Sequence, residues 1–218
     1  MPCLLFFGRR LALIRIFLIR HGETEWNALG KLQGTSNVQL SAVGIHQAKL
    51  LAAHAPFNTA DAIYSSDLIR ARSTAEILAQ RFNLKVRVML ELREANFGDW
   101  EGHSIKELAE DLNSNFETFF TAPEICHPPH GETSFDCQTR VVGAIKKIVA
   151  ENKSSNDKRI IVISHGAAIR LFLCWVLGMP IRKMWALSQF NMALNVLRVD
   201  DGNITVELLN STLHLYNF

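Results

Sequence analysis

Two short runs constrain the fold more than anything else in the chain. Ile14-Arg-Ile-Phe-Leu-Ile19 and Ile160-Ile-Val-Ile163 are β-branched and apolar, and each is too short for a core helix. They read as buried strands. A strand apolar along nearly its whole length needs cover on both faces, which suits a parallel sheet between two layers of helices. Both runs pass directly into polar triplets, Arg20-His21-Gly22 and Ser164-His165-Gly166, at their carboxyl ends.

The rest of the pattern alternates between the two periods. Ser41 precedes a helical face carrying Ile45, Ala48, Leu51 and Ala52. Asp61-Ala-Ile-Tyr64 reads as a strand, with Ser65, Ser66 and Asp67 as N-cap candidates for a helix to about Gln80. Residues 85–89 read as a further strand, and Ser104-Ile-Lys-Glu107 as a capping box opening a short helix. Pro123, Pro128 and Pro129 make 121–130 a loop before a helix over about 134–151. The second apolar strand feeds a helix through Leu177, and residues 195–199 and 204–209 flank Asp200-Asp-Gly-Asn203 as a hairpin. Strands alternating with helices predict an α/β fold, a three-layer sandwich with a mostly parallel central sheet flanked by helices. With no internal repeat, low-complexity block or long linker, residues 1–218 read as one domain.

Composition narrows the partners. The chain carries 23 Lys+Arg against 21 Asp+Glu, a formal net charge of +2, so global basicity drives no nucleic-acid binding. No apolar run approaches the ~18 residues of a membrane span, so no membrane association is expected. Cys3, Cys126, Cys137 and Cys174 include no CxxC and no zinc spacing, and read as free thiols in a reducing, cytoplasmic setting. Residues 1–13 read as an extension to the first strand; Arg9, Arg10 and Arg15 interrupt the apolar stretch, unlike a signal peptide. The oligomeric state stays open, with a homodimer as one option.

Ligands of open α/β sheets bind at the carboxyl ends of strands, so His21 and His165 converge on one crevice if their strands are neighbours. A single strand-end histidine is commonly a hydrogen-bonded structural residue. Two, each followed by a glycine that permits close ligand approach, favour a site. Histidine pairs serve metal binding, acid–base chemistry or nucleophilic attack. His46, His54, His103, His127, His130 and His214 show no HxxxH or HExxH spacing, and Arg20 beside His21 repels a cation. An arginine next to a reactive imidazole suits an anion, with phosphate the best match for a forked donor.

Arg20-His21-Gly22-Glu23-Thr24-Glu25-Trp26-Asn27 resembles the signature of the histidine phosphatase superfamily, which includes the cofactor-dependent phosphoglycerate mutases. The resemblance continues through Leu32-Gln-Gly34, Leu40-Ser-Ala-Val-Gly-Ile-His-Gln-Ala48, Tyr64-Ser-Ser-Asp-Leu-Ile-Arg70-Ala-Arg-Ser-Thr-Ala75, Leu92-Arg-Glu94-Ala-Asn-Phe-Gly-Asp-Trp-Glu-Gly102, Gly131-Glu-Thr133 and Ser164-His165-Gly166. It covers roughly residues 14–209. It implies that His21 is the nucleophile and forms a phosphohistidine, with Glu94 as general acid and then base. It implies that Arg20, Arg70 and a cationic His165 clamp the phosphate, with Asn27, Gln33, Gly34 and Gly166 contributing to substrate binding and no metal or cofactor. Glu94 is expected to need burial or the phosphate's charge to hold a proton near neutrality. Arg72 stands as an alternative to Arg70.

The mutases of this family carry an Arg-Arg-Ser-Tyr-like insertion and typically Glu-Arg-His-Tyr-Gly. Glu94-Ala-Asn-Phe-Gly-Asp-Trp-Glu-Gly102 without that insertion is instead similar to the phosphatase branch, which includes broad-specificity and α-ribazole phosphatases. Hydrolysis of a small phosphorylated metabolite is therefore expected. Mutase activity, a phosphohistidine-based protein phosphatase and a catalytically inactive binding module are the alternatives. An inactive member would have lost at least one of Arg20, His21, Arg70, Glu94 and His165, and all are present. Phe116, Phe119, Phe120, Met184, Trp185 and Phe190 are candidates to line the leaving-group pocket, the first three as a lid.

Overall fold

The computed structural model describes residues 12–111 and 114–216. Residues 1–11 of the expected extension, with Cys3, lie outside it. In chain order the elements are β1 (Ile14–Arg20), α1 (Glu25–Ala28), α2 (Ala42–His54), β2 (Ala62–Ser65), α3 (Ile69–Phe82), β3 (Val86–Val88), α4 (Ile105–Glu110), α5 (Phe116–Thr121), α6 (Ser134–Glu151), β4 (Lys158–Ser164), α7 (Gly166–Val176), β5 (Leu194–Asp200) and β6 (Asn203–Ser211). Short 3₁₀ turns sit at Leu90–Leu92, Gly98–Trp100, Ile181–Ala186 and Leu213–Leu215.

The six strands form one sheet in the order β3-β2-β4-β1-β5-β6. The first four run parallel, whereas β5 pairs antiparallel with β1 and β6 antiparallel with β5. The expected hairpin closes at Asp201 and Gly202, both at positive φ, as a two-residue turn between twisted strands requires.

The all-apolar runs follow from two separate cores. Ile16, Leu18, Ile160 and Val162 face α6 and α7 with Val141, Ile145, Ile148 and Phe172. Phe17, Ile19, Ile161 and Ile163 face α2 and α3 with Leu51, Ala71, Ala75 and Leu78. Alternate residues therefore enter opposite cores, and Ile160, Ile161, Val162 and Ile163 are each 0% exposed. Burying each such side chain stabilises the fold by about 1.5–3 kcal/mol.

The register positions the site. β1 and β4 are neighbours, with Ile19 opposite Ile163 and Arg20 opposite Ser164. His21 and His165 therefore leave the sheet side by side.

Local expectations differ from the structure at two places. The residue before α3 is Leu68, which offers no side-chain cap; Ser65 ends β2, Ser66 bonds His165, and Asp67 pairs with Arg93. The strand expected over 85–89 shortens to three residues at the sheet edge.

Candidate active site

His21 follows β1 and is 2% exposed. Its Nδ1 lies 2.7 Å from the Gly22 carbonyl, which can only accept, so Nδ1 carries the proton and Nε2 the lone pair. Burial and then Arg70 and Arg20 push the imidazole well below the usual histidine range. His21 is thus neutral and presents one free basic nitrogen. The backbone around it is fixed from several sides. Thr74 Oγ1 accepts from Gly22 N–H, while Asn191 Nδ2 and Met192 N–H donate to the His21 carbonyl.

The His165 ring centroid lies 5.1 Å from that of His21. Its Nε2 is 2.7 Å from Ser66 Oγ, and its buried Nδ1 has no partner. The cationic form expected from the sequence is corrected here. Burial, Arg70, His21 and Arg20 all hold His165 well below the ordinary range, so it is neutral.

A half-buried arginine, Arg20, and a fully buried one, Arg70, surround the pair. Arg20 donates from Nη1 to the Gln189 carbonyl at 2.7 Å. Arg70, 0% exposed, donates to the Ser36 carbonyl at 2.7 Å and the Gly34 carbonyl at 2.6 Å. Neither Nε has a partner. Burial lowers both guanidinium pKa values to about 10 against the raising effect of Glu94, so both stay charged at neutral pH. Arg72, by contrast, points outward and pairs with Glu76.

Glu94 is 8% exposed and caps α7 from outside the helix. Its Oε2 accepts from Ala167 N–H at 3.1 Å, and its Oε1 from Ala168 N–H at 3.0 Å and Ala95 N–H at 2.9 Å. These are orphan donors of the first helical turn, where the macrodipole favours a carboxylate. Arg140, salt-bridged to Glu132, clamps the carbonyls of Glu91, Arg93 and Glu94 and so fixes the segment.

Arg20, His21, Asn27, Gln33, Gly34, Arg70, Glu94 and Gly166 all line one cavity of about 350 Å³. His165 is not in the lining; fully buried, its ring lies beside that of His21. Asn27 Oδ1 accepts from Thr24 and Asn191, which leaves its amide nitrogen for the cavity, and the buried Gln33 Oε1 has no partner. The glycine after His21 serves a different approach from the one expected: a methyl on Gly22 would meet the Gly44 carbonyl at 2.6 Å, so α2 rather than a ligand occupies that space. A wider groove of about 620 Å³ between Arg15, Phe57 and Arg159 lies at the opposite strand ends and holds no nucleophile.

The aromatic expectations divide. Phe120 and Trp185 line the cavity with Leu32, Phe97 and Ile105. Phe116, Phe119 and Met184 are core residues instead, and Phe190 is 60% exposed and lines nothing there. Phe119 packs edge-on against Phe97 and Trp100, so α5 is a fixed wall and not a three-residue lid.

Several supporting residues escaped the sequence reading. Glu101 accepts from Thr35, Ser36 and Phe97 and holds the loop whose carbonyls grip Arg70. Ser66, Asn191, Arg140 and the cavity-lining Arg170 belong with it. No local pattern marks them; only the repeated polar character of the loops could have suggested a network.

A model of the histidine phosphatase superfamily, branch 1, matches residues 16–212. Phosphoserine phosphatase 1 of Hydrogenobacter thermophilus is 31% identical over 206 residues, covering 94% of this chain and 96% of that one. The adenosylcobalamin/alpha-ribazole phosphatase of Salmonella typhimurium is 30% identical over 202 residues, covering 91% and 96%. The solved structure of a phosphoserine phosphatase from Entamoeba histolytica with 3-phosphoglyceric acid matches with a TM-score of 0.82 and 32% identity, covering 93% and 100%.

Proposed function

Because this chain belongs to the histidine phosphatase superfamily, we propose that it hydrolyses small phosphomonoesters through a phosphohistidine on His21. The observation that carries this reading is the pair of buried guanidinium donors without partners, Arg20 Nε and Arg70 Nε, with the unpartnered Nδ1 of His165, gathered beside an imidazole whose Nε2 is free. Leaving a buried donor unpaired costs about 1–3 kcal/mol, and a phosphate oxygen on each would recover it.

In the first step His21 Nε2 forms a bond to phosphorus as the bond to the leaving oxygen breaks. Glu94 enters this step as the protonated acid, gives its proton to that oxygen, and the alcohol departs; the second step returns a proton to it. In the second step Glu94 removes a proton from water, the water oxygen attacks phosphorus, and the N–P bond breaks to release inorganic phosphate and neutral His21. Charge is spread over the equatorial oxygens throughout, and Arg20, Arg70 and the Asn27 amide lie ready to meet it. Neutral His165 donates from Nδ1 while accepting from the Ser66 hydroxyl at Nε2. The arginines carry the charge stabilisation, so the reaction is written without an added metal. The size of the cavity favours a small leaving group.

The test is release of phosphate from p-nitrophenyl phosphate with a chelator present. Wild type should turn over, and His21→Ala should lower the rate by about a thousandfold or more. Release that persists in His21→Ala would overturn the mechanism. Interconversion of 3-phosphoglycerate far faster than hydrolysis of any ester would overturn the phosphatase assignment.

A further inference from the structure

The cavity holds more positive charge than one phosphate needs. Arg170 lies on α7 one turn beyond Gly166, so its side chain returns toward the helix start and lines the cavity. Its Nε donates to the Leu187 carbonyl at 2.7 Å, and its guanidinium lies 5.4 Å from the Trp185 ring centroid. A methyl placed on Gly166 would meet Arg170 Nη1 at 3.1 Å and Arg20 Nε at 3.4 Å, so the two guanidiniums border the same small space. No carboxylate lies within ion-pair distance of Arg170 among the described residues.

The contrast with Arg140 is informative. That arginine is also largely buried, but a carboxylate, Glu132, neutralises it. Arg20, Arg70 and Arg170 are each held by backbone carbonyls, which orient a guanidinium without cancelling its charge. Burying an unpaired cation is costly, and the arrangement recovers that cost when an anion arrives. Arg20 and Arg70 balance a phosphate dianion. Arg170 and Lys31 also line the cavity, where Glu94 is the one carboxyl group contributed by the described residues, so the lining carries more positive charge than a phosphate dianion balances. Glu107, at the start of α4, is committed to the Ser104 cap.

We propose that Arg170, with Lys31, forms a second anion subsite, and that the preferred substrate is a phosphomonoester whose alcohol portion bears a carboxylate. This rests on the phosphatase reading above. Two free Nη groups in one plane fit the two oxygens of a carboxylate. The apolar walls from Phe97, Phe120 and Trp185 then enclose the short carbon chain between the two anions.

O-phosphoserine and phosphoethanolamine differ only by a carboxylate and provide the test. Wild type should show a kcat/KM for O-phosphoserine at least about tenfold above that for phosphoethanolamine. Arg170→Gln should bring the ratio close to one, chiefly through a higher KM for O-phosphoserine, and Arg170→Lys should restore part of it. An unchanged ratio in Arg170→Gln would overturn the subsite, as would an equal loss on both esters, which would make Arg170 part of the phosphate clamp. Calorimetric binding of the same two compounds to His21→Ala, with and without Arg170→Gln, reads the subsite independently of turnover. Absence of hydrolysis with carboxylate-selective binding intact would defeat the phosphatase reading alone. Equal binding of the two compounds would defeat the subsite alone.

Discussion

Glu101→Gln tests whether the clamp is positioned from behind. The carboxylate accepts from Thr35 N–H at 2.8 Å, Thr35 Oγ1 at 3.1 Å, Ser36 N–H at 2.9 Å, Ser36 Oγ at 2.6 Å and Phe97 N–H at 3.2 Å. The same loop offers the Gly34 and Ser36 carbonyls to Arg70. Glutamine keeps one oxygen and sets an NH₂ against the donors of the other. One backbone N–H is then orphaned, one hydroxyl must turn, and the remaining bonds lose their charge. Hydrogen bonds to a charged group contribute about 1.5–3 kcal/mol each, so a loss of roughly 2–4 kcal/mol is expected at this loop. Arg70 is held by two carbonyls of the moving segment, so about 2 kcal/mol of that should reach the transition state, a fall of roughly 30-fold in kcat/KM. The assay is a double-mutant cycle with Arg70→Lys on p-nitrophenyl phosphate, with thermal melts beside it. Glu101→Gln should cost clearly less in the Arg70→Lys background, with a coupling of at least about 1 kcal/mol. A lower melting temperature with strictly additive kinetics would refute the reasoning, because Glu101 would then support the fold without aiming Arg70.

Acid should destabilise the protein through its neutral histidines. His21 and His165 have depressed folded-state pKa values, so below ~6.5 the unfolded chain binds protons that the native one refuses. Their contribution is complete above that pH and falls as the pH drops, by up to about 1.4 kcal/mol per pH unit for each. His214, lowered to about 4 by burial, adds to the slope between pH 6.5 and 4. Urea midpoints at pH 7, 6 and 5 should show the decline, and His214→Leu should flatten it; a parallel decline in that variant would remove His214 from the account. Gly44→Ala would drive a methyl into the Glu23 carbonyl, a backbone atom, beside the loop that carries His21. A destabilisation above about 3 kcal/mol is expected by denaturant unfolding, and a change within about 1 kcal/mol would show that α2 can retreat without cost.

What was legible in the chain is what a single segment carries. The strands over 14–19 and 160–163 could be read because a β-branched run between two cores has one explanation, and the 201–202 turn because its residues tolerate positive φ. That Arg20, His21, His165 and Gly166 lie close together could be read because each ends or follows such a strand, whereas Gln33, Gly34 and Glu94 lie in loops and were picked out by the resemblance alone. Residues whose meaning is tertiary were not. Ser66 looks like a cap, but β2 places it against His165, and the sequence does not announce that β2 and β4 are neighbours. Phe116 and Phe119 have the spacing of an exposed amphipathic face, and only the packing of Trp100 against both shows them to be core. Glu101 lies inside a block quoted for the resemblance, but its role does not show there because Thr35 and Ser36 are about 65 positions away.

The charge of His165 shows most clearly why local reading runs out. An imidazole set among phosphate ligands invites a positive charge, since the ligand is negative. The balance among the site's own groups is different: Arg20 and Arg70 are already charged, both imidazoles are buried, and Glu94 turns its oxygens toward the α7 backbone. A cationic imidazole there would be repelled by both guanidiniums with little water to screen it. Neutral histidines remove that repulsion while keeping their directional hydrogen bonds, and a neutral His21 is also the form that the proposed mechanism needs for attack. The arginines therefore provide charge, and the imidazoles provide geometry and a lone pair. That division needs the arginines to stay uncompensated, which is why backbone carbonyls and not carboxylates hold them in place.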